Sequence, residues 1–235
     1  MKVIILAGGF GTRLGEVTEK IPKPMVTLSG KPIIWHIMDL FASYGHKDFY
    51  IATGYKEEII SKYFVDNPTN WNVNTINTGL NTMTGGRAKL ISKHIGDEPC
   101  FLTYGDGLSN INIDKLLDFH IKNNKIATIS AVRPTARFGE LYLDGDVVLS
   151  FKEKPQLQKG WINGGFFVLE PKFFSYIEDH QTMLEREPIE KITEEKEMVA
   201  YKHEGFWQCM DTRRDWELLQ SLSEEETPPW KKKDE

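Results

Sequence analysis

The chain opens on a continuous apolar run, Val3-Ile4-Ile5-Leu6-Ala7, closed at once by Gly8 and Gly9. A run without alternation that stops at glycines predicts a strand covered on both faces, at the centre of a sheet. From Pro32 to Tyr44 the apolar positions Ile33, Ile34, Ile37, Met38, Leu40, Phe41 and Tyr44 recur at helical spacing, and Gly45 suits the C-terminal cap. Phe49 to Thr53 predicts a second strand ended by Gly54, Glu57 to Phe64 a short helix, and Asn72 to Thr78 a third strand. Arg87 to Ile95 predicts a helix that stops at Gly96. Cys100 to Tyr104 follows as a strand running into Gly105-Asp106-Gly107, then Ile113 to Asn123 as an amphipathic helix and Ala127 to Val132 as a strand.

The rhythm then changes. Leu141-Tyr142-Leu143 and Val147-Val148-Leu149 flank Asp144-Gly145-Asp146, a hairpin signal rather than a crossover. Phe166 to Leu169 and Met198 to His203 predict further strands, and Thr212 to Leu222 a helix. Residues 1–222 read as one domain, and 223–235 as a charged, proline-bearing, loosely ordered tail. Strands alternating with helices predict an α/β fold, with a mostly parallel mixed sheet flanked by helices and an added β-hairpin. Ligands of such sheets bind at the carboxyl ends of the strands. Three glycine-punctuated segments, Gly8 to Arg13, Thr78 to Arg87 and Tyr104 to Gly107, fall at such ends and are expected to converge.

Length and composition narrow the function classes. The 235 residues suffice for one substantial core, and 40% hydrophobic with 27% charged residues is ordinary for a soluble protein. A net charge of −5 gives no electrostatic reason to expect nucleic acid or an anionic membrane as partner. No apolar stretch approaches the ~20 residues that span a bilayer, and the N-terminal run is too short for a signal peptide. Cys100 and Cys209 lie far apart without metal-ligand spacing, which predicts a reducing, cytoplasmic setting.

The candidate chemistry starts at Gly8-Gly9-Phe10-Gly11-Thr12-Arg13, directly after a strand. Backbone N–H groups of such a loop can cradle phosphate oxygens, and Arg13 adds a fork of charged donors. Alone, the loop is explained as well by a tight turn. No Gly-Lys-Ser/Thr follows, so it is not a Walker A loop. Leu14 stands where a dinucleotide fingerprint wants glycine or alanine. Pro22-Lys23-Pro24 predicts a rigid extended frame that holds one ammonium as a point charge for phosphate. Asp106 sits at a strand end and Asp211 before a helix; each could merely cap a turn, but together two carboxylates can hold one magnesium ion. Met83-Thr84-Gly85-Gly86-Arg87 reads as another glycine-rich loop with an arginine at a helix start, a place that favours an anion. Glu153 and Asn163 could read sugar hydroxyls while Lys154 holds a sugar phosphate, and Trp161, Phe206 and Trp207 read as packing residues.

Gly8-Gly9-x-Gly11-Thr12-Arg13-Leu14 followed by Pro22-Lys23-Pro24-Met25 resembles the signature of the sugar-1-phosphate nucleotidyltransferase family. Within it the chain looks like the glucose-1-phosphate cytidylyltransferase branch, through Thr78-Gly79, Met83-Thr84-Gly85-Gly86-Arg87, Thr103-Tyr104-Gly105-Asp106-Gly107 and Arg137-Phe138-Gly139. Glu153-Lys154-Pro155, Ile162-Asn163-Gly164-Gly165-Phe166-Phe167, Phe206-Trp207-Gln208-x-Met210-Asp211-Thr212 and Pro229-Trp230 continue the likeness. The resemblance implies a Rossmann-like three-layer α/β/α fold and a magnesium-dependent transfer of a nucleotidyl group from CTP to glucose 1-phosphate. Its expected place is nucleotide-sugar and surface polysaccharide biosynthesis, and a homo-oligomer is expected.

By position it assigns Leu6, Ala7, Gly8, Gly9, Gly11, Thr12, Arg13, Lys23, Thr82, Arg87 and Gly105 to the nucleotide. Asp106 and Asp211 fall to magnesium, and Glu153, Lys154 and Asn163 to the sugar phosphate. Arg13, Lys23, Asp106 and Asp211 are the implied catalytic set. The segment Asp66 to Asn77 is shorter than its counterpart in that branch, and a thymidylyl- or uridylyltransferase stays open beside CTP.

Overall fold

The apolar run at the start forms β1 (Lys2–Leu6), and its side chains divide between two cores. Val3 and Ile5 pack into one, Ile4 and Leu6 into the other, as the two-residue period of a strand requires. This is the computed structural model of the chain, which describes residues 1–134, 140–152 and 160–232. After β1 come α1 (Glu16–Lys20), the short pair β2 (Thr27–Leu28) and β3 (Lys31–Pro32), α2 (Ile33–Ser43), β4 (Asp48–Thr53), α3 (Glu57–Asp66) and β5 (Asn72–Asn77). Then follow α4 (Thr84–Ile95), β6 (Cys100–Tyr104), β7 (Gly107–Ser109), α5 (Ile113–Asn123) and β8 (Ala127–Val132). The remainder supplies β9 (Glu140–Asp144), β10 (Val147–Lys152), β11 (Ile162–Leu169), α6 (Glu187–Glu194), β12 (Met198–His203), β13 (Trp207–Cys209) and α7 (Arg213–Ser223).

Seven strands form one sheet in the order β12-β8-β11-β6-β1-β4-β5. Pairing is parallel except at β11, which runs against both β6 and β8. The carboxyl ends of β1, β4, β5 and β6 therefore share one edge. Residues of α2, α3, α5 and α7 pack on one face through Ile37, Ile60, Leu116 and Leu219; α4, α6 and a 3-10 turn (Pro171–Tyr176) cover the other through Ile91, Ile192 and Phe173. The result is the three-layer α/β/α arrangement. Each fully buried Leu, Ile or Phe contributes about 1.5–3 kcal/mol, so the two cores fix where the strand ends sit.

The hairpin signalled by Asp144-Gly145-Asp146 is present as antiparallel β9 and β10, a separate two-stranded sheet. Three features differ from the sequence reading. Helix α4 starts at Thr84, so Gly85 and Gly86 belong to its first turn instead of a loop. A Cβ on Gly85 would lie 2.7 Å from Thr182 O, and one on Gly86 2.6 Å from His180 Cα, so the glycines serve the close approach of residues 180–184. Strand β11 begins at Ile162 and carries a register shift between Asn163 and Phe167, where the Gly165 N–H donates to Asn163 Oδ1 (2.7 Å).

The tail does not hang loose up to Lys232. Trp230 is 2% exposed, joins the first core and donates to His36 Nδ1 (3.4 Å), because an indole excluded from water outweighs the charge around it. No helix among the described residues is long and apolar enough to cross a membrane.

Candidate active site

The three glycine-punctuated segments do converge on one cavity, and a buried arginine ties the first of them to the second. Arg87 extends from α4 and is 4% exposed. Its guanidinium donates to the carbonyls of Gly8 (3.0 Å), Thr53 (3.0 Å), Gly79 (2.8 Å) and Leu80 (3.2 Å), and to Thr78 Oγ1 (2.6 Å). A Cβ on Gly8 would stand 2.1 Å from Arg87 Nη1, so a side chain there would push the guanidinium off its carbonyl partners. Burial lowers the Arg87 pKa, and its charge meets carbonyl dipoles rather than a carboxylate. The chain thus uses Arg87 to shape the loops that follow β1, β4 and β5.

Lys23 stands at the floor of the same edge. It does not lie in an extended frame: Pro22 is extended, but Lys23–Met25 form one 3-10 turn, to which the fixed φ of Pro24 is suited. The Lys23 ammonium donates to Asp106 Oδ2 (2.5 Å) and Asp211 Oδ1 (2.7 Å), with its side chain 11% exposed. Burial works against the Lys23 charge, but Asp106 and then Asp211 outweigh it, and the pKa is raised. Burial likewise works against the Asp211 charge, yet Lys23 and Arg13 hold the pKa below its ordinary value. Arg13 Nη1 reaches Asp211 Oδ2 (2.9 Å) from a side chain 72% exposed.

Two aspartates so distant in sequence meet because β7 and β13 pair antiparallel directly beside them. Met210 N donates to Asp106 O (2.9 Å) and closes the ribbon at that end. Asp211 is not the helix cap. Thr212 caps α7 in a capping box with Asp215, whose Oδ2 also accepts the Asp211 N–H (3.2 Å). That leaves the Asp211 carboxylate to the cations.

Two cavities open along this edge, of about 520 and 600 Å³. The smaller is lined by Leu6, Ala7, Gly8, Gly9, Gly11, Arg13, Lys23, Thr82, Arg87 and Gly105, every nucleotide candidate except Thr12. The larger is lined by Asn163, Asp211, Trp207 and Glu185 among others. Arg13, Tyr104 and Asp106 line both, so the cavities share a wall at the charged cluster. Glu153 and Lys154, and the motifs Arg137-Phe138-Gly139 and Glu153-Lys154-Pro155, lie outside the described residues.

Sequence reasoning missed several side chains here. Trp207 packs against the first core as expected, but it also faces the larger cavity and donates to Gly164 O (2.7 Å). Phe10 is 45% exposed on the smaller cavity, its ring 5.3 Å from that of Tyr55. Gln181 and Glu185 come from a loop whose composition carries no glycine or proline signal. Only the tertiary fold brings that loop over the strand ends.

The model of the nucleotidyl transferase family matches residues 2–217. The chain is 42% identical to a glucose-1-phosphate cytidylyltransferase of Salmonella typhi, over 98% of this chain and 99% of that protein. It is 38% identical to a probable glucose-1-phosphate cytidylyltransferase of Bacillus subtilis, with the same coverage. The S. typhi alignment extends over 254 positions against 235 residues here, so that relative carries residues this chain lacks. Among solved structures, HddC from Yersinia pseudotuberculosis complexed with GMP-PN superposes with a TM-score of 0.76 at 28% identity, covering 94% of this chain and 98% of that one. A match reaching from β1 into α7, with relatives aligned end to end, establishes that this chain belongs to the nucleotidyl transferase family.

Proposed function

We propose that the chain transfers a cytidylyl group from CTP to α-D-glucose 1-phosphate, giving CDP-glucose and pyrophosphate. The observation that carries this reading is the shared wall: two adjoining cavities meet at Arg13, Tyr104 and Asp106, as joining two anionic substrates requires. The choice of CTP and glucose 1-phosphate rests on the 42% and 38% identical relatives.

In this reading the nucleotide occupies the smaller cavity, its phosphates against the backbone of Gly8, Gly9 and Gly11. Arg87 keeps that backbone in place by holding the Gly8 carbonyl back from the phosphates. The sugar 1-phosphate enters the larger cavity beside Asn163, with Glu153 and Lys154 as its further partners. One of its phosphate oxygens attacks the α-phosphorus of CTP; the new P–O bond forms as the α–β bridging bond breaks, and pyrophosphate leaves with the electron pair. The attacking oxygen is already anionic, so no general base is needed, and catalysis lies in positioning and charge neutralisation. Lys23 and Arg13 supply positive charge at the shared wall.

Asp106 and Asp211 fit a divalent cation. Their oxygens already converge on one positive group, the Lys23 ammonium, and both are hard oxygen donors. Among the described residues no group of three His, Cys, Asp or Glu gathers. The site therefore suits an ion that takes its other ligands from phosphates and water, as magnesium does. When bound, magnesium would neutralise charge on the triphosphate. A cytoplasmic setting goes with this reading.

The test is pyrophosphate release from a matrix of five nucleoside triphosphates and several sugar 1-phosphates. The expected outcome is highest kcat/KM for CTP with glucose 1-phosphate. A preference for UTP or dTTP would overturn the base assignment and leave the reaction class standing.

A further inference from the structure

The loop between the 3-10 turn Pro171–Tyr176 and α6 reaches both cavities, with Gln181 on the smaller and Glu185 on the larger. Its backbone is fastened to the first turn of α4. Met83 N donates to His180 O (2.9 Å), Gly86 N to Thr182 O (3.2 Å) and Leu184 N to Thr84 Oγ1 (2.9 Å). Glu185 is therefore held on a fixed support.

Two neutral hydroxyls aim its carboxylate. Tyr104 OH donates to Oε1 (2.7 Å) and Thr84 Oγ1 to Oε2 (2.6 Å). A carboxylate has about four acceptor positions, and these bonds use two of them. The other acids on this wall, Asp106 and Asp211, are held by Lys23 and Arg13. Among the described residues no cation pairs with Glu185. Its remaining lone pairs suit a neutral hydrogen-bond donor, and a sugar ring carries several.

We propose that Glu185 is a specificity-determining residue of the larger cavity, accepting hydrogen bonds from ring hydroxyls of the sugar 1-phosphate. This rests on the reaction proposed above. A site built to bind a hydroxyl rejects the analogue that lacks it, because the acceptor is then left dry and unpaired. Substitution of Glu185 and deletion of the hydroxyl it binds should consequently not add.

The experiment compares the full-length wild type with Glu185→Gln on a sugar 1-phosphate and its 2-, 3-, 4- and 6-deoxy analogues. The sugar is whichever 1-phosphate the wild type uses, and calorimetric binding of the same ligands gives a readout independent of turnover. Glu185→Gln is expected to lower kcat/KM for the parent sugar by about 10- to 100-fold, chiefly through the sugar KM, with the CTP KM within about two-fold. For at least one deoxy analogue the wild type is already impaired, and the variant loses less than about three-fold more. A uniform loss across every analogue, or a loss confined to the CTP KM, overturns the proposal. Should Glu185→Gln fold poorly, Tyr104→Phe removes the donor that aims the carboxylate. It should weaken the same hydroxyl preference, and an unchanged preference counts against Glu185. Failure of CTP or glucose 1-phosphate to react would instead count against the reaction proposed above, leaving the calorimetric comparison to decide on Glu185.

Discussion

Arg13 and Arg87 are both arginines on glycine-rich segments beside one cavity, yet the fold gives them opposite surroundings. Arg13 is largely in water and faces the Asp211 carboxylate across 2.9 Å. Arg87 is sealed from water and surrounded by carbonyls of three different loops. The first belongs to a charged quartet with Lys23, Asp106 and Asp211, and in the proposed reaction its two cations exchange carboxylates for substrate phosphates. The second cannot leave its partners without orphaning them. Guanidinium chemistry is the same in both; access to water decides whether it is open to a ligand or fixed to the scaffold.

The comparison breaks most visibly at the quartet. Asp106→Ala should lower kcat on the order of 10³-fold while the Tm moves little, since the residue lies at a loop end outside the two cores. A Tm drop that accounts for the lost activity would merge the quartet with the scaffold. Arg87→Met should do the reverse. It leaves several buried carbonyls without donors and costs about 3 kcal/mol, a fall in Tm of roughly 6–12 °C for a chain of this size. Thermal denaturation followed by circular dichroism reads this, and an unchanged Tm with lost activity would make Arg87 a ligand contact. Arg13→Ala ranks third: kcat/KM down about ten-fold, with a stability change under about 1 kcal/mol because exposed pairs contribute little.

The smallest effect is in the pH dependence. Asp211 has a folded pKa below its unfolded value, so its contribution to stability is present above the ordinary value of 3.8 and is lost as pH falls through the folded pKa. Lys23 has a folded pKa above 10.5, so its contribution is present below that value and is lost as pH rises through the folded pKa. Replacing Lys23 by Met removes the partner that opposes burial at Asp211. The acid limb of a Tm-against-pH curve should then move to higher pH, and an unmoved limb would show that Arg13 alone sets the Asp211 titration.

Much of the scaffold was legible in the sequence because hydrophobic period carries over directly into strands and helices. The run Val3–Ala7, the spacing from Ile33 to Phe41 and the Asp-Gly-Asp turn all appear where the pattern places them. Lys23 stood out because two prolines frame it, whereas Asp106 and Asp211, each able merely to cap a turn, gained weight only as a pair of carboxylates. Arg87 was read as facing an anion because its residue type favours one, while its burial depends on contacts spread from Gly8 to Leu80. The early start of α4 was hidden for a related reason: Gly85 and Gly86 weaken a helix in isolation, and their use becomes visible only with residues 180–184 packed against them. Glu185 left no local trace at all. Trp230 was obscured by the charged tail around it.

The short ribbon of β7 and β13 has a consequence for the timing of assembly. Ribosomes deliver the glycine loop, Lys23 and Asp106 first, and Asp211 only after β8, β11 and β12 have been made. Until β13 docks on β7, the Lys23 ammonium has only Asp106 of its two counter-charges. A nascent chain can thus carry the glycine loop, Lys23 and Asp106 while the charged cluster is still incomplete. Docking of β13 on β7 is the step that completes the charged cluster.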